Sequence, residues 1–126
     1  MDRELVSSGV RNVILNAKLG KFYLAYMSDD PEQKPVGSTL VTYELSPALG
    51  GLINWIQSVY VAIDLRGKGV FRKLYTTIVD EAKANKQVKC VRLYVETENE
   101  TAIAVYTKLG MDQMDKYDYV ERDLIL

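Results

Sequence analysis

At 126 residues, 48% apolar and 26% charged, the chain has the size and composition of one globular domain built on one core, residues 1–126. A net charge of −1 gives no electrostatic case for nucleic acid as the main partner, and no apolar run approaches the roughly 20 residues that span a bilayer. With no histidine and a single cysteine, Ser-His and Cys-His nucleophilic systems, an internal disulfide and the usual zinc sites are excluded.

The first residues, Met-Asp-Arg-Glu-Leu, are charged and lack a signal-peptide core, so a cytoplasmic location is the default expectation. Residues 3–18 read as a helix: Leu5, Val6, Val10, Val13, Ile14 and Ala17 recur at three- and four-residue spacing, and Gly20 is a stop. Lys21–Met27 reads as a strand, Ser28–Pro35 as a polar turn, and Val36–Leu45 as a second strand that pairs with the first. After the loop Ser46–Gly51, Leu52–Ile63 is a third strand. Its near-continuous apolar character places it centrally, covered on both faces.

Val70–Asn85 is a helix with Val70, Phe71, Leu74, Ile78, Val79 and Ala82 on one stripe. Val88–Glu96 is a strand. Within it Cys90 reads as a small apolar residue more readily than as a nucleophile. Thr97–Leu109 is a short helix, with Thr97 and Glu100 as a capping box and Gly110 as its end. The tail Met111–Leu126 holds one or two strands. Helix, three strands, helix, strand, helix, strand describes a mixed α/β sandwich: a mostly antiparallel central sheet flanked by helices.

Between the third strand and the helix that follows stands Arg66-Gly67-Lys68-Gly69. A glycine turn opening a helix exposes free backbone N–H groups and the positive end of the helix dipole, which makes an anion site. Arg66, Lys68, Arg72 and Lys73 surround it. Each of these, taken alone, also fits a solvated helix face. A Walker-type loop fails because Val70 and Phe71 follow the Gly-Lys step where Ser or Thr is required. A dinucleotide fingerprint fails for want of a third glycine.

These residues resemble the GNAT superfamily of acetyl-coenzyme A-dependent N-acetyltransferases over roughly residues 19–120. The signature Arg/Gln-x-x-Gly-x-Gly/Ala falls on Arg66, Gly69 and Phe71, with phenylalanine in place of the last small residue. Leu93-Tyr-Val-Glu-Thr-Glu-Asn99 is similar to the family's fifth strand, which ends in an asparagine near the cofactor arm. Ala102-Ile-Ala-Val-Tyr-Thr-Lys-Leu-Gly-Met111 is similar to its late helix, whose tyrosine faces the thioester sulfur. The family's first strand has no counterpart ahead of Lys21. Either the chain is a fragment or its sheet has a bare edge, which invites pairing with another subunit and leaves a homodimer open.

The resemblance implies acetyl-coenzyme A as cosubstrate, no metal, and a set of roles. The backbone from Gly67 through Lys68, Gly69, Val70 and Phe71 to Arg72, with Arg66, holds the pyrophosphate. A backbone N–H among Val59, Tyr60 and Val61 orients the thioester carbonyl, and Asn99 and Ala102 lie along the cofactor arm. Tyr106 is the candidate acid for the departing thiolate, and Lys108 a candidate charge for lowering its phenol pKa. Tyr106 equally fits a half-buried structural tyrosine on the stripe of Ala102, Ile103 and Leu109.

The attacking amine must lose a proton. Gln57 and Ser58 stand where many relatives carry a glutamate, so Glu44 and Glu96 are the acidic choices for base, beside deprotonation by bulk water. The expected reaction is direct attack in a ternary complex, on a small-molecule or peptide amine. The alternatives are a coenzyme A-binding regulatory module with weak or no turnover, and a structural domain with no phosphate ligand. Tyr23, Tyr26, Tyr43 and Trp55 are candidates for an aromatic pocket that takes a cation, or for core packing.

Overall fold

The computed structural model describes residues 18–32, 34–113 and 119–125. The expected N-terminal helix and the question of a preceding strand therefore lie outside the described residues.

Strand β1 (Gly20–Tyr26) pairs antiparallel with β2 (Pro35–Ser46), and β2 with β3 (Gly51–Val61). A single 3₁₀ turn (Ile63–Leu65) leads through the glycine turn into α1 (Val70–Ala84), and β4 (Val88–Glu96) returns parallel to β3. Helix α2 (Glu100–Lys108) carries the chain to a short edge strand β5 (Asp112–Gln113). The chain then comes back as β6 (Tyr119–Ile125), antiparallel to β4. The six-stranded sheet has the order β1-β2-β3-β4-β6-β5. The sequence reading of α1, of the four longer strands before α2, and of the mostly antiparallel sheet agrees with this topology. The tail forms two strands.

Both helices lie on one face of the sheet. The apolar stripe of α1 (Tyr75, Ile78, Val79, Ala82) packs on Val41, Ile56, Val91, Leu93 and Val95, and α2 adds Ala102, Ile103, Tyr106 and Leu109 to that cluster. Alternation along the strands sends Ile53, Trp55 and Cys90 to the opposite face as a second buried cluster. Consecutive burial of Ile53 to Ile56 confirms that β3 is covered on both faces at mid-length. The tight approach of α1 is made at Gly37 in β2. A Cβ there would stand 2.7 Å from Val70 Cγ1 and 3.4 Å from Leu74 Cδ1.

Two features of the sheet prepare the site. First, β3 carries a bulge: Leu40 pairs with Ser58 but Val41 with Ile56, which leaves Gln57 extra. Thr39 Oγ1 donates to the Ser58 carbonyl at 2.5 Å, and Gln57 Nε2 to Thr42 Oγ1 at 2.8 Å, so the bulge is pinned on either side. Its effect is to invert the alternation. Val59 shares the helix face with its partner Thr39, while Tyr60 and its partner Ser38 face the other way. Second, the pairing of β3 with β4 stops at Ile56↔Leu93, although β3 runs on to Val61 and β4 to Glu96.

At the far end of α1, Glu81 accepts hydrogen bonds from the Tyr23 hydroxyl and from Lys21 Nζ at 3.1 Å, tying β1 to the helix. The Tyr23 hydrogen bond is the main cause holding the Glu81 carboxyl below its ordinary value of 4.5. A depressed carboxyl contributes stability above its unfolded pKa, and that stability is lost as pH falls through the folded value. Tyr23→Phe should cost about 1 kcal/mol in urea denaturation at neutral pH. It should also shrink the loss of stability on acidification below about 4.5.

Candidate active site

The turn after β3 is fixed by its own backbone. Ala62 N–H donates to the Val36 carbonyl at 2.8 Å, and Lys68 N–H to the Leu65 carbonyl at 3.3 Å. Arg66 Nε donates to the Val61 carbonyl at 3.1 Å. The Arg66 side chain thus braces the turn from behind. Gly67 (φ 77°) and Gly69 (φ 87°) both sit in the left-handed region, where a side chain is strained. A Cβ built at either would meet nothing within 4 Å, so the space over both glycines is open. Gly69 is also the N-cap of α1, and no side chain caps that end. The first-turn N–H groups of α1, at Val70, Phe71 and Arg72, therefore face outward with the positive end of the helix dipole behind them.

Facing this turn across a cleft of about 380 Å³ is α2. The lining comprises Gly67, Gly69, Phe71, Arg72, Ala102, Val105, Tyr106, Lys108 and Leu109. Its charged members are both cations, Arg72 and Lys108, and no carboxylate is among them. Lys68 and Lys73 are exposed on the same turn and helix. The phenylalanine that replaces the signature's small residue turns its ring inward. It meets Tyr106 edge-on at 5.7 Å and Tyr75 at 6.0 Å, and forms part of the cleft wall.

Helix α2 begins later than the sequence pattern indicates. Asn99, three residues before Ala102, is the N-cap, and its Oδ1 accepts from Ala102 N–H at 3.1 Å. The expected capping box at Thr97 is replaced by this Asx cap, which satisfies the Ala102 N–H, while Glu100 N–H donates to the Glu98 carbonyl. With Asn99 at the start of the same helix, Ala102 lines the cleft. Val105, not anticipated from sequence, joins Ala102, Tyr106 and Leu109 on the stripe lining it. Their three- and four-residue spacing is the signal that could have found it.

Tyr106 sits half-buried in the cleft wall. Burial pushes its phenol up from the ordinary value of 10.0. Lys108 lies at the rim but does not reverse that direction, so the expected lowering by a neighbouring charge is corrected: desolvation of the phenolate outweighs it.

The two acidic candidates separate. Glu96 is exposed at the end of β4, past the point where the parallel strands part. Glu44 pairs with Ile53, five residues along β2 from the Thr39↔Val59 pair, so roughly 17 Å from it at ~3.3 Å per residue. Its carboxylate accepts the Trp55 indole N–H at 3.2 Å. The four aromatic candidates separate as well. Tyr23 and Tyr43 line a second cleft on the helix face. Trp55 lies on the other face, stacked on Tyr94 at 4.8 Å with the Arg92 guanidinium 5.4 Å from its ring. Tyr26 is exposed.

Among the described residues no group of His, Cys, Asp and Glu is arranged to hold a metal, and no helix is long and apolar enough to cross a membrane. The profile described as Acetyltransferase (GNAT) family matches residues 9–111. Among solved structures, a possible acetyltransferase from Clostridium difficile 630 is 33% identical, with 93% of this chain and 74% of that one covered at a TM-score of 0.81. Arabidopsis thaliana NAA60 in complex with acetyl-CoA is 16% identical, with 95% and 83% covered at a TM-score of 0.81. The same plant protein with a bisubstrate analogue is 15% identical, with 94% and 82% covered at 0.81. The two plant structures, at that identity, speak for the fold alone. No curated protein matches the chain. On its profile match and its fold, the chain belongs to the GNAT acetyltransferase family.

Proposed function

We propose that the protein transfers an acetyl group from acetyl-coenzyme A to a primary amine, by direct attack within a ternary complex. The observation that carries this reading is the uncapped start of α1. Two left-handed glycines stand there beneath open space, beside a cleft whose charged lining residues are cations. The N–H groups of Gly67 to Arg72 suit a pyrophosphate, and Arg72 and Lys108 add attraction. The pantetheine arm then runs along Ala102 and Asn99. It supplies hydrogen-bonding partners to the edges that β3 and β4 leave unpaired at Val59, Tyr60 and Val61.

In that pose a β3 N–H polarises the thioester carbonyl. As the amine nitrogen bonds to the carbonyl carbon, charge develops on the oxygen, where such a donor contributes about 3 kcal/mol. Collapse breaks the carbon–sulfur bond and expels the thiolate. A phenol raised by burial stays protonated through neutral and mildly alkaline pH, so Tyr106 is always available as a donor. Full proton transfer from a phenol near 10 to a thiolate near 8.5 is uphill, and burial makes it more so. Tyr106 therefore acts chiefly by hydrogen-bonding the departing sulfur. Glu96, at the parted end of β4, is the base we assign for the ammonium proton, directly or through water. The position of Glu44 far along β2 and its bond to Trp55 favour Glu96 over it for that role. The acceptor class is a small-molecule or peptide amine.

A second reading, a coenzyme A-binding module without turnover, draws on the absence of any carboxylate from the cleft lining. Heat unfolding with and without acetyl-coenzyme A tests the binding that both readings share. Ligand at 100 times its Kd should stabilise by about 2.7 kcal/mol, and no shift at millimolar ligand would end both. Release of free thiol in the presence of an amine panel separates them.

A further inference from the structure

A second cleft, of about 300 Å³, opens on the helix face at the opposite end of α1 from the glycine turn. It is lined by Lys21 and Tyr23 of β1, Tyr43 of β2, Leu52 and Asn54 of β3, Val88 of β4, Glu81 of α1 and its C-cap Asn85. Its volume is at the lower end of what small-molecule sites enclose. Its floor is polar where a core would be apolar: Asn54 is only 9% exposed, and its Oδ1 is buried with no hydrogen-bond partner. A buried carboxamide oxygen left unmet is uncommon in folded proteins, and an unexplained one marks a place where a donor is missing.

The surroundings define the sign of that donor. The last turn of α1 ends here at Asn85, so its carbonyls present the negative end of the dipole that is positive at the glycine turn. Glu81 adds a carboxylate that it shares with Lys21 and the Tyr23 hydroxyl, and Tyr43 adds a ring face and a hydroxyl. The walls already accommodate an ammonium. Lys21 Nζ lies 3.1 Å from Glu81 Oε1 and 4.9 Å from the centre of the Tyr23 ring. Yet that lysine is spent on Glu81 and Tyr23, and the oxygen of Asn54 stays unmet.

We propose that this cleft binds a small organic primary ammonium ion, at a site separate from the acetyl-transfer cleft. Its N–H donors meet the Glu81 carboxylate and the Tyr43 hydroxyl, and reach Asn54 Oδ1, buried in the floor, once that side chain turns toward the cleft; its alkyl part lies on Leu52 and Val88. Nothing in this requires the protein to turn over.

The test is titration of the full-length ¹⁵N-labelled chain with n-butylammonium chloride, without acetyl-coenzyme A. Sodium butyrate, n-butanol and potassium chloride at matched ionic strength are the controls. Expected are saturable shifts of the Asn54 side-chain amide and of backbone amides at 52–54 and 81–85, seen with the ammonium alone. Glu81→Gln and Asn54→Leu should each weaken apparent affinity by about tenfold, the loss of one charge-assisted hydrogen bond. Should Asn54→Leu fail to fold, Glu81→Gln decides. No saturable shift, equal shifts with butanol or potassium, unchanged affinity in Glu81→Gln, or shifts confined to residues 57–61 and 94–96 would each overturn the proposal. The last pattern would mean that the amine binds only where the acetyl acceptor does.

Discussion

Gly69→Val is expected to weaken acetyl-coenzyme A binding about a hundredfold, the equivalent of two charge-assisted hydrogen bonds. The argument is conformational. Gly69 holds φ at 87° and ψ at 7° to cap α1, and a β-branched residue there stores strain of about 1–3 kcal/mol. The chain relieves it by turning the peptide or unwinding the first turn of α1. Either response re-aims the N–H groups to which the diphosphate is assigned. The added side chain also projects into the open space that the ligand needs. Gly50, in the turn joining β2 and β3, is the control. It has φ 75° and equally open surroundings, but lies at the other end of β3. Gly50→Val should lose comparable stability and keep its affinity in isothermal titration. If both variants bind equally well, or equally badly, the turn at 66–71 is not the diphosphate grip.

Tyr106→Phe should lower kcat tenfold or more, an order-of-magnitude expectation for loss of a positioned donor, while leaving acetyl-coenzyme A affinity nearly unchanged. The replacement keeps the ring that meets Phe71 edge-on and removes only the hydroxyl. Its stability should therefore stay within a few tenths of a kcal/mol of the parent. The pH dependence carries a sign. Burial raises the phenol, so the parent enzyme should show no loss of kcat from Tyr106 ionisation until pH exceeds the ordinary phenol value near 10. Turnover unchanged in Tyr106→Phe would leave this residue as packing alone.

Much of the architecture was legible because periodicity and punctuation agreed. The stripe from Val70 to Ala82 and the alternation of Val88 to Glu96 each sit against a glycine or asparagine boundary, and their ends fall within a residue or two of the structure. The start of α2 was misread for a local reason. Thr97 and Glu100 have capping-box spacing, but Asn99, two residues closer, bonds Ala102 N–H and wins. The bulge at Gln57 had no signature at all. It depends on which residues of β2 lie opposite, and it reverses the facing of Val59 and Tyr60. The same blindness to register affected the acids and aromatics. Nothing within residues 40–60 reveals that Glu44 is committed to Trp55, or that the sheet divides Tyr23 and Tyr43 from Trp55. The glycine turn was readable because φ > 0 leaves a mark in the amino-acid alphabet. Cross-strand pairing leaves none.

Gly37 touches no part of the acetyl-transfer cleft, yet it sets how deep that cleft lies. Because it has no side chain, Val70 and Leu74 settle almost onto the β2 main chain, and the first coil of the helix rests at the lowest height sterics permit. One methyl group inserted there would act as a shim, lifting the glycine turn and the start of α1 relative to the gap between the parallel strands. The height of the glycine turn above the sheet is thus metered from underneath, by a position that lies outside the cleft lining.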